Sequence, residues 1–269
     1  MGIIYGNGGF VRGRKSLIWT FDNLLSKTLW LDIDDPSTIN LNGSTISQLT
    51  EKANGVSLTE SAASNQPLYV PNAFNSKAVA RFSGNQRLTS PTTSDYNSIG
   101  FASVFGIFKR NTTTIEQILN ISPVGFVTAR ILASIRDGTG NYAVGGRRLD
   151  NDSFQQIEGG SNADYIIYGA TINYQTRQLR LYVNGLLVAS SDTFQMAGVT
   201  QNNDTNIVLG NNQTLSNGFN GDVGEIVSTT QTVLTLDDVD RIHGRLAHKW
   251  LMTNVLPTNH PYKINPPLI

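Results

Sequence analysis

Residues 177–192, RQLRLYVNGLLVASSD, show most clearly how this chain folds. In the first half, apolar residues occupy every second position from Leu179 to Val183, which is the period of a strand buried on one face. Asn184 and Gly185 follow directly, and both residue types tolerate the positive φ angles of a type I′ turn. A second apolar run begins immediately after the turn. This segment therefore predicts a β-hairpin.

Similar short runs recur along the chain on both sides of this hairpin. They are rich in β-branched and aromatic residues, and clusters of Gly, Asn and Asp separate them. The predicted strands are residues 77–82, 101–109, 115–121, 130–136, 142–147, 164–172, 178–184, 185–191, 206–210 and 222–229. Many short strands joined by such turns are typical of an antiparallel β-sandwich.

One stretch near the C-terminus has a helical period instead. Between residues 235 and 252, apolar side chains recur at three- and four-residue intervals, which predicts an amphipathic helix. Thr235 can cap its start, and Asp237 and Asp238 suit the positive end of the helix dipole. The tail of residues 253–269 contains four prolines and cannot continue a helix.

The first sixteen residues have a different composition and form a predicted N-terminal arm. They are rich in glycine and then basic, and they contain isolated apolar residues. Arms of this kind can add main-chain hydrogen bonds to a neighbour's sheet edge. We expect this arm to contact another subunit, in a homo-oligomer for which a trimer is one candidate state. The candidate partner contacts are Ile3, Ile4, Tyr5, Phe10, Arg12 and Arg14.

Composition excludes several classes of partner. The chain has 20 basic and 20 acidic residues, so it lacks the basic field with which proteins bind phosphate backbones. No apolar run approaches the roughly 20 residues of a membrane span, and the N-terminal residues do not follow the pattern of a Sec signal peptide. With no cysteine, thiolate metal sites and cysteine nucleophiles are excluded as well. We expect no nucleic-acid partner and no membrane partner.

Several stretches, in this order and spacing, resemble laminin G-like domains of the concanavalin A-like superfamily. These are residues 29–61, residues 66–91 with the K-x-V-x-R-F-x-G pattern of residues 77–84, and residues 181–191, 219–239 and 245–263, which end in LPTNHPY. The domains of phage structural proteins and bacterial surface proteins are the most similar. The resemblance covers most of residues 17–267. It implies one jelly-roll domain of two antiparallel sheets, with a concave face that often binds glycans or proteins.

Some relatives of this fold are glycoside hydrolases, which require a pair of carboxylates at a defined separation. Their Glu-x-Asp-x-x-Glu strand signature is absent, and the nearest match, Asp222 to Glu225, lacks a third carboxylate. His243 and His248 lie five positions apart, unlike the i, i+4 pair of a helical metal site. The family pattern gives His260 a packing role. We expect no catalytic residues, no cofactor-binding residues and no metal ligands.

Calcium is the one cofactor that the sequence leaves open, because laminin G-like domains sometimes hold this ion with oxygen ligands. The candidate oxygen-rich segments are Asp32–Asp35, residues 137–141 and residues 202–206. For glycan binding, Trp30 and Trp250 lie in patterns that predict burial. A sugar-binding surface would therefore need an exposed Tyr or Phe.

We expect a non-catalytic phage virion protein, either a capsid decoration protein or a head or tail appendage. It would bind other virion proteins, and a host surface glycan is a further candidate partner of the jelly roll. The alternative hypothesis is a glycan-binding module of an extracellular or cell-surface bacterial protein. A degenerate glycoside hydrolase is the third hypothesis, which the missing carboxylates disfavour.

Overall fold

The computed structural model describes residues 18–125, 129–136 and 138–269, which form two layers of antiparallel β-structure and one α-helix. This architecture confirms the predicted all-β jelly roll with a C-terminal helix. The strands are β1 (Lys27–Asp32), β2 (Ile39–Asn42), β3 (Thr45–Thr50), β4 (Ser57–Thr59), β5 (Leu68–Phe74), β6 (Lys77–Ser83), β7 (Leu88–Thr89), β8 (Phe101–Arg110), β9 (Glu116–Pro123), β10 (Ile131–Ile135), β11 (Tyr142–Gly146), β12 (Gln155–Gly159), β13 (Ile166–Asn173), β14 (Gln178–Val183), β15 (Leu186–Ser191), β16 (Thr205–Leu209) and β17 (Asn220–Thr230), and the helix is α1 (Leu236–Lys249).

The first layer, here called the back sheet, has the order β15-β14-β13-β8-β17. The other edge of β17 is shared, because β1 pairs with its second half and β6 pairs with its first half. β5 continues the sheet beyond β6. The long strands β8 and β17 are buried along almost their whole length, since both of their faces are covered.

The second layer, here called the front sheet, has the order β2-β3-β4-β7-β16-β9-β10-β11-β12. It meets the back sheet where β3 pairs with β5, so that the two layers join along one edge. β7 and β4 are very short: β7 pairs two residues with β16, whereas β4 pairs three residues with β3 and one with β7. The front sheet turns one face toward the back sheet and the other face outward.

Two hydrophobic cores hold these layers together. The first lies between the two sheets and includes Phe82, Phe108, Ile121, Val144 and Tyr168. The second lies between the outer face of the back sheet and α1, and it includes Trp30, Phe105, Ile167, Ile242 and Trp250. Burial of apolar area at roughly 25 cal/mol per Å² makes these cores the main source of stability.

The hairpin and the helix both form as the sequence predicts. Val183 pairs with Leu186 across a two-residue turn, in which Asn184 and Gly185 have φ angles of 55° and 77°. The helix starts with a capping box between Thr235 and Asp238. Its predicted inward-facing residues, at positions 239, 242, 246 and 250, are all buried.

Seven strands were not among the runs predicted from composition, and they are β1, β2, β3, β4, β5, β7 and β12. β1 and β5 overlap segments of the family resemblance, residues 29–61 and 66–91, and the others are polar or very short. β12 has the sequence QQIEG, in which Ile157 is the single apolar residue. No helix in the described part of the chain is long and apolar enough to cross a membrane.

Candidate functional site

The predicted arm, with Ile3, Ile4, Tyr5, Phe10, Arg12 and Arg14, lies outside the described residues, so its partner contacts remain a prediction. The first described residue, Ile18, forms an antiparallel bridge with Leu268. The backbone N–H of Trp19 donates to the carbonyl of Pro267 at 2.9 Å. The segment that follows the arm is therefore held against the C-terminal tail.

Glu225, one of the two carboxylates considered for hydrolase chemistry, is completely buried in the second core. Its Oε1 accepts a hydrogen bond from the indole of Trp30 at 2.9 Å, and its Oε2 accepts one from the indole of Trp250 at 2.8 Å. The ammonium group of Lys249 lies 2.9 Å from Oε2. Because both oxygens are committed to fixed partners, this carboxylate acts as a packing anchor between β1, β17 and α1.

Asp222, the second carboxylate, is also buried and paired. Its two oxygens accept bonds from Nε and Nη2 of Arg81 at 2.7 and 2.9 Å, which is a bidentate arrangement. The Tyr165 hydroxyl donates to Oδ2 at 2.5 Å. Burial raises the pKa of Tyr165 above its ordinary value, and so does the hydrogen bond to Asp222. Asp222 therefore fixes β6 and β13 to β17 and has no oxygen directed at a ligand.

In the acidic segment Asp32–Asp35, a candidate calcium site in the sequence, the aspartates form ion pairs with lysines. Asp34 lies 2.8 Å from Lys77, and Asp35 lies 2.8 Å from Lys52. Asp32 lies 2.7 Å from Lys249. The bond from Lys52 lowers the pKa of Asp35 to about 2. Ion pairs with three cations are a poor starting point for a calcium site, because each lysine would have to be displaced.

The tail brings His260 close to Asp240 and His243 of α1, and the sequence did not indicate this contact. Candidate ligand atoms of Asp240, His243 and His260 lie within 4.8 Å of one another. However, Nδ1 of His260 accepts a bond from the backbone N–H of Tyr262 at 3.2 Å. In the neutral ring the proton is then on Nε2, which faces Asp240 at 3.6 Å. This tautomer suits a hydrogen-bonded packing role better than metal coordination.

A cleft of about 430 Å³, here called the front cleft, opens on the outer face of the front sheet. This volume lies within the roughly 300–1,000 Å³ range of small-molecule sites. Alternation along β11 produces the cleft: Tyr142 and Val144 point into the first core, so Ala143 and Gly145 face outward. These two small residues leave a trough between the longer side chains of β10 and β12. The cleft is lined by Ile115, Gln117, Ala129, Leu132, Ser134, Arg136, Phe154 and Gln156.

Phe154 provides an aromatic surface in the front cleft. It precedes β12 and is half-buried. A Cβ atom at Gly145 would lie 2.9 Å from its ring and 2.5 Å from the carbonyl oxygen of Gln155, so only glycine fits there. The ring therefore lies close against the sheet. Leu132 and Ile115 extend this apolar surface, and Ile115 is 46% exposed.

Arg136 is held in position at the polar end of the front cleft. Its Nε lies 2.9 Å from Oε2 of Glu158. With the Gln156 amide oxygen turned toward the guanidinium, that oxygen accepts from Nε at 2.8 Å and from Nη1 at 2.7 Å. Glu158 and Gln156 lie on the same face of β12, two residues apart. A planar guanidinium that is fixed by two neighbours is preorganised to bind a ligand.

Gln117 forms the opposite polar wall. Its Oε1 accepts a hydrogen bond from Nδ2 of the buried Asn120 at 2.6 Å, and its backbone N–H donates to the carbonyl of Asn217 at 2.9 Å. Gln213 of the same loop donates to Oγ of Ser122 at 2.8 Å. The loop of residues 210–219 thus lies along β9. The bond from Asn120 fixes the side-chain amide of Gln117.

Apolar surface, amides and one guanidinium therefore converge in the front cleft, where the sequence named no site residue. Phe154, Gln156 and Glu158 belong to β12 and the residue before it, which the sequence pattern missed. One signal pointed in this direction, because the sequence argument called for an exposed Tyr or Phe and Phe154 is a partly exposed aromatic residue. Trp30 and Trp250 are buried, as predicted, and Trp19 is buried as well.

No family model matches this chain, and no curated protein matches it. Solved structures with a similar fold include the binding domain of Paraclostridial Mosquitocidal Protein 1, with a TM-score of 0.57 and 15% identity over 81% of this chain and 52% of that one. A second is botulinum neurotoxin type C, described as entering cells through two ganglioside molecules, with a TM-score of 0.57 and 14% identity over 82% of this chain and 51% of that one. A third is the ligand binding domain of serotype D with N-acetylneuraminic acid, with a TM-score of 0.55 and 15% identity over 81% of this chain and 50% of that one.

These likenesses support the β jelly-roll fold. The chain spans about half the length of these structures. At this level of identity the likeness extends to the fold alone. It supports neither the laminin G type nor a phage origin, both of which the sequence resemblance implied.

Proposed function

We propose that this protein is a non-catalytic glycan-binding module that holds a saccharide in the front cleft. This was the alternative hypothesis from the sequence, and the comparisons support it better than the virion role. The observation that carries the proposal is the Phe154 ring beside the fixed polar groups of Arg136, Gln156 and Gln117. Saccharides have apolar C–H faces and hydroxyl edges, so they bind surfaces that combine both features.

Two further observations support a binding role over catalysis. The carboxylates nearest to a hydrolase signature, Asp222 and Glu225, are paired in the interior. The similar solved structures are described as binding domains. One of them is described as interacting with gangliosides, and another as a complex with N-acetylneuraminic acid. Both ligands are sugars or contain sugars. A location outside the cell or at a cell surface fits such a module.

Replacing Phe154 by alanine is expected to reduce affinity for the bound glycan at least about tenfold, because the stacking surface is lost. The intact chain is first screened on a glycan array, and the strongest ligand is then titrated by calorimetry. Phe74→Ala is the matched control, because Phe74 is also half-buried but stacks on Tyr165 at the back sheet. Equal affinity of the Phe154 variant and the wild type, or an array without any bound glycan, would contradict the proposal.

For the arm, we propose contact with a second copy of the chain, in which Ile3, Ile4, Tyr5 and Phe10 bury apolar surface. Each such side chain contributes roughly 1.5–3 kcal/mol when fully buried. The virion role predicted from the sequence depends on this assembly and has no support among the similar structures.

Deleting residues 2–12 is expected to leave a folded domain that no longer forms the oligomer. Light scattering after size exclusion gives the oligomeric state, and circular dichroism gives the fold. Arg12→Gln with Arg14→Gln in the full-length chain separates the charged contacts from the apolar ones. An unchanged oligomeric state after the deletion, or a wild-type monomer, would show that the arm has no role in assembly.

A further inference from the structure

The front cleft has no net charge. Of the residues that line it, Arg136 is the one with a formal charge, and its guanidinium pairs with Glu158 at 2.9 Å. Both side chains are about one third exposed, at 35% and 38%, so each remains accessible to a ligand. The rest of the described lining is amide, hydroxyl or apolar. A ligand therefore meets a compensated ion pair at the polar end.

This ion pair presents a donor and an acceptor side by side. Among the described residues, Nη2 of Arg136 and Oε1 of Glu158 make no hydrogen bond, whereas Nε, Nη1 and Oε2 are committed to each other or to Gln156. A sugar hydroxyl both donates and accepts, so adjacent hydroxyl groups can bind both atoms at once. A sugar carboxylate accepts only, and it would bring a second negative charge next to Glu158.

The apolar end of the front cleft fixes how such a sugar would lie. Phe154 lies over Gly145 on β11, and Gln156 and Glu158 follow on the outward face of β12. A pyranose ring with one face on Phe154 therefore directs its hydroxyl edge along β12 toward the ion pair. Phe154, Gln156 and Glu158 thus follow one another at alternate positions along β12 and the residue before it.

We propose that the front cleft selects neutral saccharides over acidic ones, with Glu158 as the residue that rejects the carboxylate and Arg136 with Glu158 as the pair that binds adjacent hydroxyl groups. This inference rests on the proposed glycan-binding function. It differs from the acidic sugar named for one structural neighbour, because Glu158 compensates the cleft's one lining cation.

The experiment titrates the full chain with pairs of saccharides in which one member is neutral and the other carries one or more carboxylates. Lactose is compared with 3′-sialyllactose, and trigalactose is compared with trigalacturonic acid, by calorimetry at fixed ionic strength. In each pair of saccharides that binds, the neutral member is expected to bind at least about tenfold more tightly than the acidic member. Glu158→Gln is expected to reduce this ratio by strengthening binding of the acidic member. The matched control is Glu60→Gln, which alters the other Arg–Glu pair of the front sheet, with Arg87 at 3.2 Å.

The outcomes separate this inference from the function on which it rests. If the wild type binds the acidic members more tightly in a Phe154-dependent manner, the selection for neutral sugars is wrong while the glycan-binding function stands. An unchanged ratio in Glu158→Gln also overturns the role of Glu158. If no saccharide on the array or in these pairs binds in a Phe154-dependent manner, the proposed function itself fails.

Discussion

Replacing Glu225 by alanine is expected to lower the free energy of unfolding by about 3–5 kcal/mol, which is the range for breaking a buried ion pair. The carboxylate is completely buried and holds three partners: the indoles of Trp30 and Trp250 and the ammonium group of Lys249. Without it, two buried indole N–H groups lose their acceptors, and an unsatisfied buried donor costs roughly 1–3 kcal/mol. Lys249 keeps Asp32 as a partner, which limits the loss.

Urea denaturation of the wild type and the variant measures this difference. Glu158→Ala is the matched control, because Glu158 also pairs with a cation but is 38% exposed. An exposed pair contributes only about 0–1 kcal/mol. If both variants lose the same small amount of stability, Glu225 does not anchor the helix to the back sheet. A folded Glu225 variant with unchanged glycan affinity would show in addition that this carboxylate has no part in binding.

Acidification is expected to destabilise the protein strongly through His243. Burial, together with the neighbouring His260, lowers the pKa of this ring from 6.5 to about 3. The groups that face it are Asp240 on the same helix, His260 on the tail and Tyr182 on β14. Because the folded state keeps the His243 ring neutral, the unfolded chain binds more protons than the folded protein between pH 3 and pH 6.5. Stability is therefore complete above pH 6.5 and is lost as the pH falls toward 3.

The slope of this loss is about 1.4 kcal/mol per pH unit, or roughly 3 kcal/mol between pH 7 and pH 4.5. His243→Phe keeps a ring that packs on Phe105 but removes the titrating group. The variant is expected to lose about 3 kcal/mol less than the wild type over the same interval, measured by urea denaturation at both pH values. Parallel pH dependence in the two proteins would mean that His243 is protonated in the folded state or is not buried.

The sequence by itself determined the elements whose signal is local. Alternating apolar residues and the positive φ angles that Asn184 and Gly185 allow specify the hairpin without help from distant residues. The helix follows from its apolar period and from Thr235 at its cap. Burial of Trp30 and Trp250 was also predicted correctly, because each lies within an apolar pattern.

Tertiary structure alone decided which polar residues are used for packing and which are available to a ligand. Glu225 was part of the nearest sequence match to a hydrolase signature, and only the fold shows that Trp30, from a strand almost 200 residues earlier, donates its indole N–H to this carboxylate. Similarly, Asp240, His243 and His260 meet only because the tail folds back over the helix. Sequence patterns have no information on such contacts, since they depend on which strands become neighbours.

The front cleft is the clearest case of a site that sequence patterns could not predict. β12 is too polar to have a strand signal of its own, and its pairing with β11 makes it a strand. That pairing brings Phe154 over Gly145 and places Glu158 beside Arg136, which are contacts across separate strands. Local periodicity therefore determined the fold class, the hairpin and the helix, because each depends on neighbouring residues. Strand order in the sheet decided the site, because a cleft exists only where residues from separate strands face the same side.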